Sequence, residues 1–244
     1  MTNFDQFKTE IIGISAEIGI ADYYGVSIDS NYRKRGNENI VETVKSIIPN
    51  LEKDFKFPRP IIHEAEDRNP VDFILEDQMT LSVKTNKRNS NMVAPQIIGQ
   101  PTANTYFNYF NKYLDINVPE NRKDKVRLFK EISINEIDVV MEHYWSNLFH
   151  CDYMIYIFDF LDKNGNIKTS PTYVGFTKLE SPLWDKDKFT FTQTIDSWNE
   201  SNTVKYNNIT IGEFQAHNNR DTLKFRFNIR NLYNSIIKHI IETD

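Results

Sequence analysis

Residues 69–88 hold two short apolar runs, 71–75 (Val-Asp-Phe-Ile-Leu) and 79–85 (Met-Thr-Leu-Ser-Val-Lys-Thr), joined by the polar tripeptide Glu76-Asp77-Gln78. Runs of this length and β-forming character, separated by a tight polar turn, predict a β-hairpin. Alternate side chains along a strand leave the same face. Ser82 and Lys84 therefore point together, and the turn carries Asp72 back toward them. One short motif thus ties a carboxylate, a hydroxyl and an amine to a single patch of sheet, and the rest of the chain must supply that sheet.

The remaining pattern is compatible with one. Apolar residues at helical spacing over residues 4–24 (Phe4, Phe7, Ile11, Ile12, Ile14, Ile18, Ile20, Tyr24) predict a helix ending near Gly25. A second helix is expected over 37–48, with Asn37 as its cap and Pro49 as its stop. Residues 58–70, broken by Pro-Arg-Pro, read as loop or a short strand. Residues 122–148 read as helical, and 153–161 as a buried strand followed by a turn at 162–165. Strands are expected at 189–195, 205–211, 213–215 and 223–229, with a closing helix over 231–242. The expected class is mixed α/β, of the α+β kind, with a central mixed β-sheet flanked by helices. At 244 residues the chain fits a single domain, 1–244, with the hairpin chemistry in 1–150 and a strand-rich part in 151–244.

Composition narrows the function classes. No apolar run approaches the roughly 18 residues that span a bilayer, and the first ten residues lack the features of a signal peptide. With one cysteine, Cys151, there is neither a disulfide framework nor a Cys-rich zinc site. A cytoplasmic protein without a membrane partner is expected. None of the eight glycines falls in a phosphate-cradling pattern, which argues against ATPases, kinases and dinucleotide enzymes. The net charge of −5 does not favour a nucleic-acid partner. It is uneven, however: between Lys205 and Lys238 there are six Lys/Arg against Glu213 and Asp221, a local +4. Local patches rather than net charge set phosphate affinity.

Phosphodiester hydrolysis needs a metal, an activated water and a counter-charge for the phosphate. Asp72 would hold Mg²⁺, which prefers hard oxygen ligands. The Val83 carbonyl would add another ligand, and Lys84 would orient and help deprotonate the water or stabilise the phosphate. Here the sequence resembles the PD-(D/E)xK nuclease superfamily, type II restriction endonucleases above all. Pro70-Val71-Asp72 stands as the "PD" element with one residue inserted, and Ser82-Val83-Lys84 stands in place of (D/E)-x-K. Ser82 departs from that pattern, because a neutral hydroxyl is a poor Mg²⁺ ligand, so a carboxylate from elsewhere must complete the site. Glu17, within the small and apolar stretch Ser15–Ala21, is the first candidate, since burying an unpaired carboxylate there is costly; the competing reading is a Glu on a polar helix face. Glu64 and Glu66 are its rivals.

Further likeness lies in Ala21-Asp22-Tyr23-Tyr24-Gly25, in Asn31-Tyr32-Arg33-Lys34-Arg35-Gly36, and in residues 211–220 followed by Lys224-Phe225-Arg226-Phe227. The resemblance implies a restriction-endonuclease-like fold, Mg²⁺ as cofactor, double-stranded DNA as substrate, a homodimer, a bacterial host and a cognate DNA methyltransferase as genetic partner. Candidate DNA contacts are Arg33 and Arg35, then Asn86, Lys87, Arg88, Asn89, Asn91, Gln96 and Gln100 just past Lys84, and Gln215, His217, Asn219, Arg220, Lys224 and Arg226. Side chains of these types bond phosphates and base edges. Competing readings are a repair nuclease, a non-catalytic DNA-binding protein on a decayed nuclease fold, an HNH-type site at His217-Asn218-Asn219 with His239, and a nucleophile at His150-Cys151. The last requires two adjacent strand residues to meet, which alternation forbids.

Overall fold

The computed structural model describes residues 8–64, 69–88, 91–217 and 220–237. In chain order its elements begin with helices α1 (Thr9–Tyr24), α2 (Ser30–Arg33) and α3 (Glu38–Asp54). Strands β1 (Pro60–His63), β2 (Phe73–Leu75), β3 (Thr80–Asn86) and β4 (Met92–Val93) follow, then helices α4 (Ala103–Phe110), α5 (Arg122–Asn135) and α6 (Ile137–Leu148). Strands β5 (Tyr153–Phe158), β6 (Thr172–Thr177), β7 (Phe189–Phe191), β8 (Ser201–Tyr206), β9 (Ile209–Ala216) and β10 (Leu223–Asn228) precede a last turn of helix, α7 (Ile229–Leu232). The fold is mixed α+β, as the sequence predicts, with two largely antiparallel five-stranded sheets and flanking helices. The chain forms two compact units, one from Met1–Ser90 with Cys151–Lys178, the other from Asn91–His150 with Leu179–Asp244.

The first unit is built on the sheet β1-β2-β3-β5-β6. The expected hairpin is present, with Phe73 opposite Leu81 and Ile74 opposite Thr80. Its turn uses left-handed backbone at Asp77 and Gln78. β3 pairs parallel with β5 while every other pairing is antiparallel, so the sheet is mixed. Helix α1 packs on β3 and on α3. It is buried on nearly every side, from Ile12 and Ile14 through Ala21, as expected of a helix that is apolar all round. Gly25, left-handed, receives its end and donates to Ala21 and Asp22 carbonyls. Phe4 and Phe7 lie outside the described residues.

Helix α3 corrects one expectation. Asn37 caps it, its side chain accepting from the Ile40 N–H, but the helix continues through Pro49 to Asp54. Proline removes one donor and crowds the preceding turn; burial of Ile47, Ile48 and Leu51 along one face outweighs that cost.

The second unit is built on the antiparallel sheet β4-β10-β9-β8-β7. Helix α6 stacks Tyr144 on Phe225 of β10, ring centroids 4.3 Å apart. The helical region expected over 122–148 is two helices, parted at Glu136, whose backbone (φ −119°, ψ 36°) leaves the helical region. The strand expected over 205–211 is the junction of β8 and β9, which turn at Asn207-Asn208, both with positive φ. Helix α4 and strand β6 had no counterpart in the expected elements. The closing helix is α7 followed by a wider turn over Tyr233–Ile237, and 238–242 lie outside the described residues. Among the described residues no helix is long and apolar enough to cross a membrane.

Candidate active site

The site forms where β2 and β3 part. The Asp72 N–H donates to the Leu81 carbonyl, so Leu81 faces the β2 side of β3, and Val83, two residues on, faces the same side. β2 offers Val83 no backbone partner there, and its N–H donates instead to Asp72 Oδ2, at 2.5 Å. A strand residue sends its N–H and C=O to the same neighbour, so the Val83 carbonyl also opens toward this notch. The Ser82 hydroxyl donates to the same Asp72 Oδ2 at 3.2 Å. Asp72 and Ser82 are buried.

Helix α1 brings the second carboxylate. Gly13 faces Thr85 of β3, and Glu17, one helical turn further along that face, comes within electrostatic reach of Asp72 and Lys84. Glu17 is only 8% exposed. The Tyr32 hydroxyl donates to its Oε2, and His63 Nε2 lies 3.1 Å from the same oxygen. Tyr32 sits on α2, whose start is capped by the Asp29 side chain accepting from the Asn31 and Tyr32 N–H groups. His63 ends β1 opposite Phe73, the neighbour of Asp72.

Electrostatics sharpen the picture. Burial, and next the Glu17 charge, push the Asp72 carboxyl up to about 7, against the opposing pull of Lys84 and the two hydrogen bonds. Burial lowers the Lys84 ammonium below its usual range, against the opposing pull of Asp72, Cys151 and Glu17. A second carboxylate, Glu17, thus shares a poorly hydrated notch with Asp72 and Lys84, whose charged forms are both disfavoured by burial. Each carboxylate has one oxygen tethered, Asp72 Oδ2 and Glu17 Oε2, while Asp72 Oδ1 and Glu17 Oε1 take no hydrogen bond among the described residues.

Two open hard oxygens and a backbone carbonyl are a donor set that suits Mg²⁺, which binds through one or two carboxylates and keeps several waters. No group of three His, Cys, Asp or Glu side chains arranged to hold a metal occurs among the described residues. The remaining ligands of a cation here would therefore be the Val83 carbonyl and water.

Of the rival acids, Glu64 lies beside Asp72 in the sheet, its N–H donating to the Asp72 carbonyl at 3.0 Å, while its Oε2 accepts from Asn69 at 3.4 Å; Glu66 lies outside the described residues. Tyr32 and His63 were not among the expected site residues. Tyr32 lay inside a segment read for its Arg and Lys, and His63 was hidden because only strand pairing sets it beside Asp72.

Several expected DNA contacts are already paired. Arg33 holds Asp22, and Arg35 holds Glu10 at 2.5 Å and caps the Tyr32 ring. Asn86 accepts from the Arg88 N–H at the end of β3. The Lys87 and Arg88 carbonyls bind Leu161 and Asp159, which leaves this stretch anchored beside β5. In the second unit the Asn91 carbonyl accepts from Ile229, the Gln96 N–H donates to Asn147, and Gln100 is exposed. β10 alternates as the sequence predicts, with Leu223, Phe225 and Phe227 buried and Lys224 and Arg226 on the other face. Gln215 stands opposite Lys224, and Glu213 opposite Arg226. Arg226 and Gln215 both donate to Glu213 Oε1, Arg226 at 3.1 Å. The Lys224 ammonium is lowered by burial, then by Arg226 and Arg220. Asn89 and Asn219 lie outside the described residues.

The competing nucleophile at residues 150–151 finds no support. Burial pushes the Cys151 thiol up to about 12, which leaves it protonated near neutral pH. His150 Nδ1 lies 3.2 Å from the Asn147 carbonyl. His217 Nδ1 lies 3.2 Å from Glu200, and its partners for an HNH-type site, Asn218 and His239, are outside the described residues.

With this geometry in place, comparison with known proteins gives a likeness that extends along most of the chain. The chain is 31% identical over 224 residues to the type II restriction enzyme CviAII of Paramecium bursaria Chlorella virus 1. It is similar to a restriction enzyme over nearly its whole length. The aligned region is 92% of this chain and 59% of the CviAII enzyme, so the chain spans less than two thirds of that relative. No family model and no solved structure gives a significant match.

Proposed function

We propose that this chain is a type II site-specific endonuclease that hydrolyses phosphodiester bonds of double-stranded DNA with Mg²⁺. The observation that carries this reading is the notch itself: two buried carboxylates, each with one oxygen tethered and one open, beside the half-buried Lys84. The likeness to the CviAII restriction enzyme supports it independently.

Asp72 and Glu17 would hold the cation with the Val83 carbonyl. When bound, it supplies Lewis-acid polarisation and neutralises charge developing on the phosphate. Val83 N–H and Ser82 fix Asp72 Oδ2, so Oδ1 is presented in one orientation. Ser82 thus acts through Asp72. Lys84, with its ammonium form disfavoured by burial, is suited to accept a proton from the attacking water and to face the phosphate once charged.

The Lys224 face of β10, with Arg220 and Gln215, is the strongest phosphate-facing candidate, because the charges acting on Lys224 are both cationic. Arg226 is held by Glu213 beside Gln215, which suits an oriented base contact. Cutting both strands of a symmetric site calls for a homodimer, and a cognate methyltransferase would protect the host's DNA.

The test is digestion of plasmid DNA of known sequence in Mg²⁺, followed by sequencing of the fragment ends. Ends recurring at one short sequence are expected. Tight binding without cleavage would mean a decayed nuclease fold, and nicks confined to junctions or lesions would mean a repair enzyme.

A further inference from the structure

Glu17 Oε2 receives two groups that the expected chemistry does not include, the Tyr32 hydroxyl and His63 Nε2. They approach from different elements, α2 and β1, and converge on one oxygen of a carboxylate supplied by α1. The His63 side chain is 2% exposed and the Glu17 side chain 10%. The Tyr32 and His63 rings meet edge-on with centroids 4.9 Å apart, and His63 in turn packs on Phe73 at 5.1 Å. Tyr32 also packs against the Ile14, Ile18 and Val41 cluster. A hydroxyl donor and an imidazole locked by such packing have few other rotamers.

We infer that Tyr32 and His63 are positioning residues for the metal site, which hold Glu17 Oε2 so that Oε1 alone is offered to the cation. This rests on the reading of Glu17 and Asp72 as its ligands. A glutamate has three side-chain torsions, and without a tether it would lose rotational freedom each time the cation bound. Two fixed partners on one oxygen remove that cost in advance. The arrangement also compensates for Ser82: where the resembling motif has a carboxylate on the strand itself, this chain takes one from a helix and must fix it from outside the hairpin.

The test is calorimetric titration of the purified full chain with Mn²⁺, without DNA, alongside cleavage assays and metal-free melting curves. Tyr32→Phe keeps the ring and removes the hydroxyl; His63→Phe removes the nitrogen; His63→Gln keeps a donor at a similar reach. Loss of such outer partners typically weakens metal affinity by 10- to 100-fold. Tyr32→Phe and His63→Phe are expected to weaken Mn²⁺ binding by about tenfold each, with His63→Gln recovering most of the loss. In a Glu17→Gln background, Tyr32→Phe is expected to have no further effect, because its influence passes through Glu17. An equal loss in both backgrounds, or unchanged affinity in Tyr32→Phe, overturns the inference. Mn²⁺ binding indifferent to both Glu17→Gln and Asp72→Asn would overturn the metal site itself, a separate outcome visible in the same titrations.

Discussion

At the residue scale, the metal-free notch is strained electrostatically, and the strain has a sign. Asp72, with its pKa raised to about 7, contributes stability that is complete below the ordinary carboxylate value of about 4 and is lost as pH rises through about 7. Lys84, lowered, contributes stability that is present above its ordinary value and is lost as pH falls through the lowered one. Above neutral pH the metal-free fold therefore carries an ionised, poorly solvated Asp72 beside Glu17. A divalent cation relieves that repulsion, and at low pH it must first displace the Asp72 proton. Ca²⁺ should accordingly raise the melting temperature more at pH 8 than at pH 5.5, and Asp72→Asn should abolish the difference. An equal Ca²⁺ shift at both pH values in the unsubstituted protein would contradict this. Asp72, Ser82 and Lys84 were legible in the sequence because strand alternation fixes faces without knowledge of the fold. The partners of Glu17 were not, because α2 and β1 meet α1 only through tertiary packing.

At the element scale, legibility followed the strength of local signals. Helix α1 could be read from its apolar density and Gly25, and the hairpin from its polar turn. The β8–β9 turn was missed because Asn207-Asn208 lacks a glycine, although asparagine adopts left-handed backbone more readily than other side chains. Pro49 misled because a proline is read as a stop, whereas the apolar face of α3 continues beyond it. β6 was missed because its exposure pattern does not alternate cleanly.

The close approach of α1 to α3, which sets where Glu17 sits, can be tested at Gly19. A Cβ there would meet Val44 Cβ at 2.8 Å and the Val41 carbonyl at 2.9 Å. An alanine gains about 1 kcal/mol of helix propensity, but overpacking costs about 1–3 kcal/mol, and here one of the crowding atoms is backbone, which cannot turn aside. Gly19→Ala should therefore destabilise the protein in urea unfolding and also lower cleavage. A stabilised Gly19→Ala variant would show that the two helices have room to spare.

At the scale of the whole molecule, a chain of net charge −5 would bind DNA, as proposed, through local patches. Lys224 and Arg220 are the cations most suited to phosphate, whereas Arg33, Arg35 and Arg226 are already held by carboxylates. Replacing Lys224 and Arg220 together by alanine should reduce the slope of log affinity against log salt by about 2, roughly one unit per lost phosphate contact. Replacing the paired Arg35 should change it little. A salt slope untouched by the double variant would place the phosphate contacts elsewhere. The two compact units each draw on distant stretches of chain, which local sequence patterns do not reveal.

In the proposed site Asp72, Glu17 and Lys84 act together in cleavage, with Glu17 rather than Glu64 as the second carboxylate. The most direct test of this arrangement is the single-turnover cleavage rate of plasmid DNA in Mg²⁺ for Asp72→Asn, Glu17→Gln, Lys84→Ala and Glu64→Gln, with folding of each variant checked by its melting curve. The first three should fall by about 10³-fold or more, on the order of 4 kcal/mol of barrier, and Glu64→Gln should cut within a few-fold of the unsubstituted enzyme. A folded Glu17→Gln variant that cuts at full rate, or a Glu64→Gln variant that does not cut, would contradict the account.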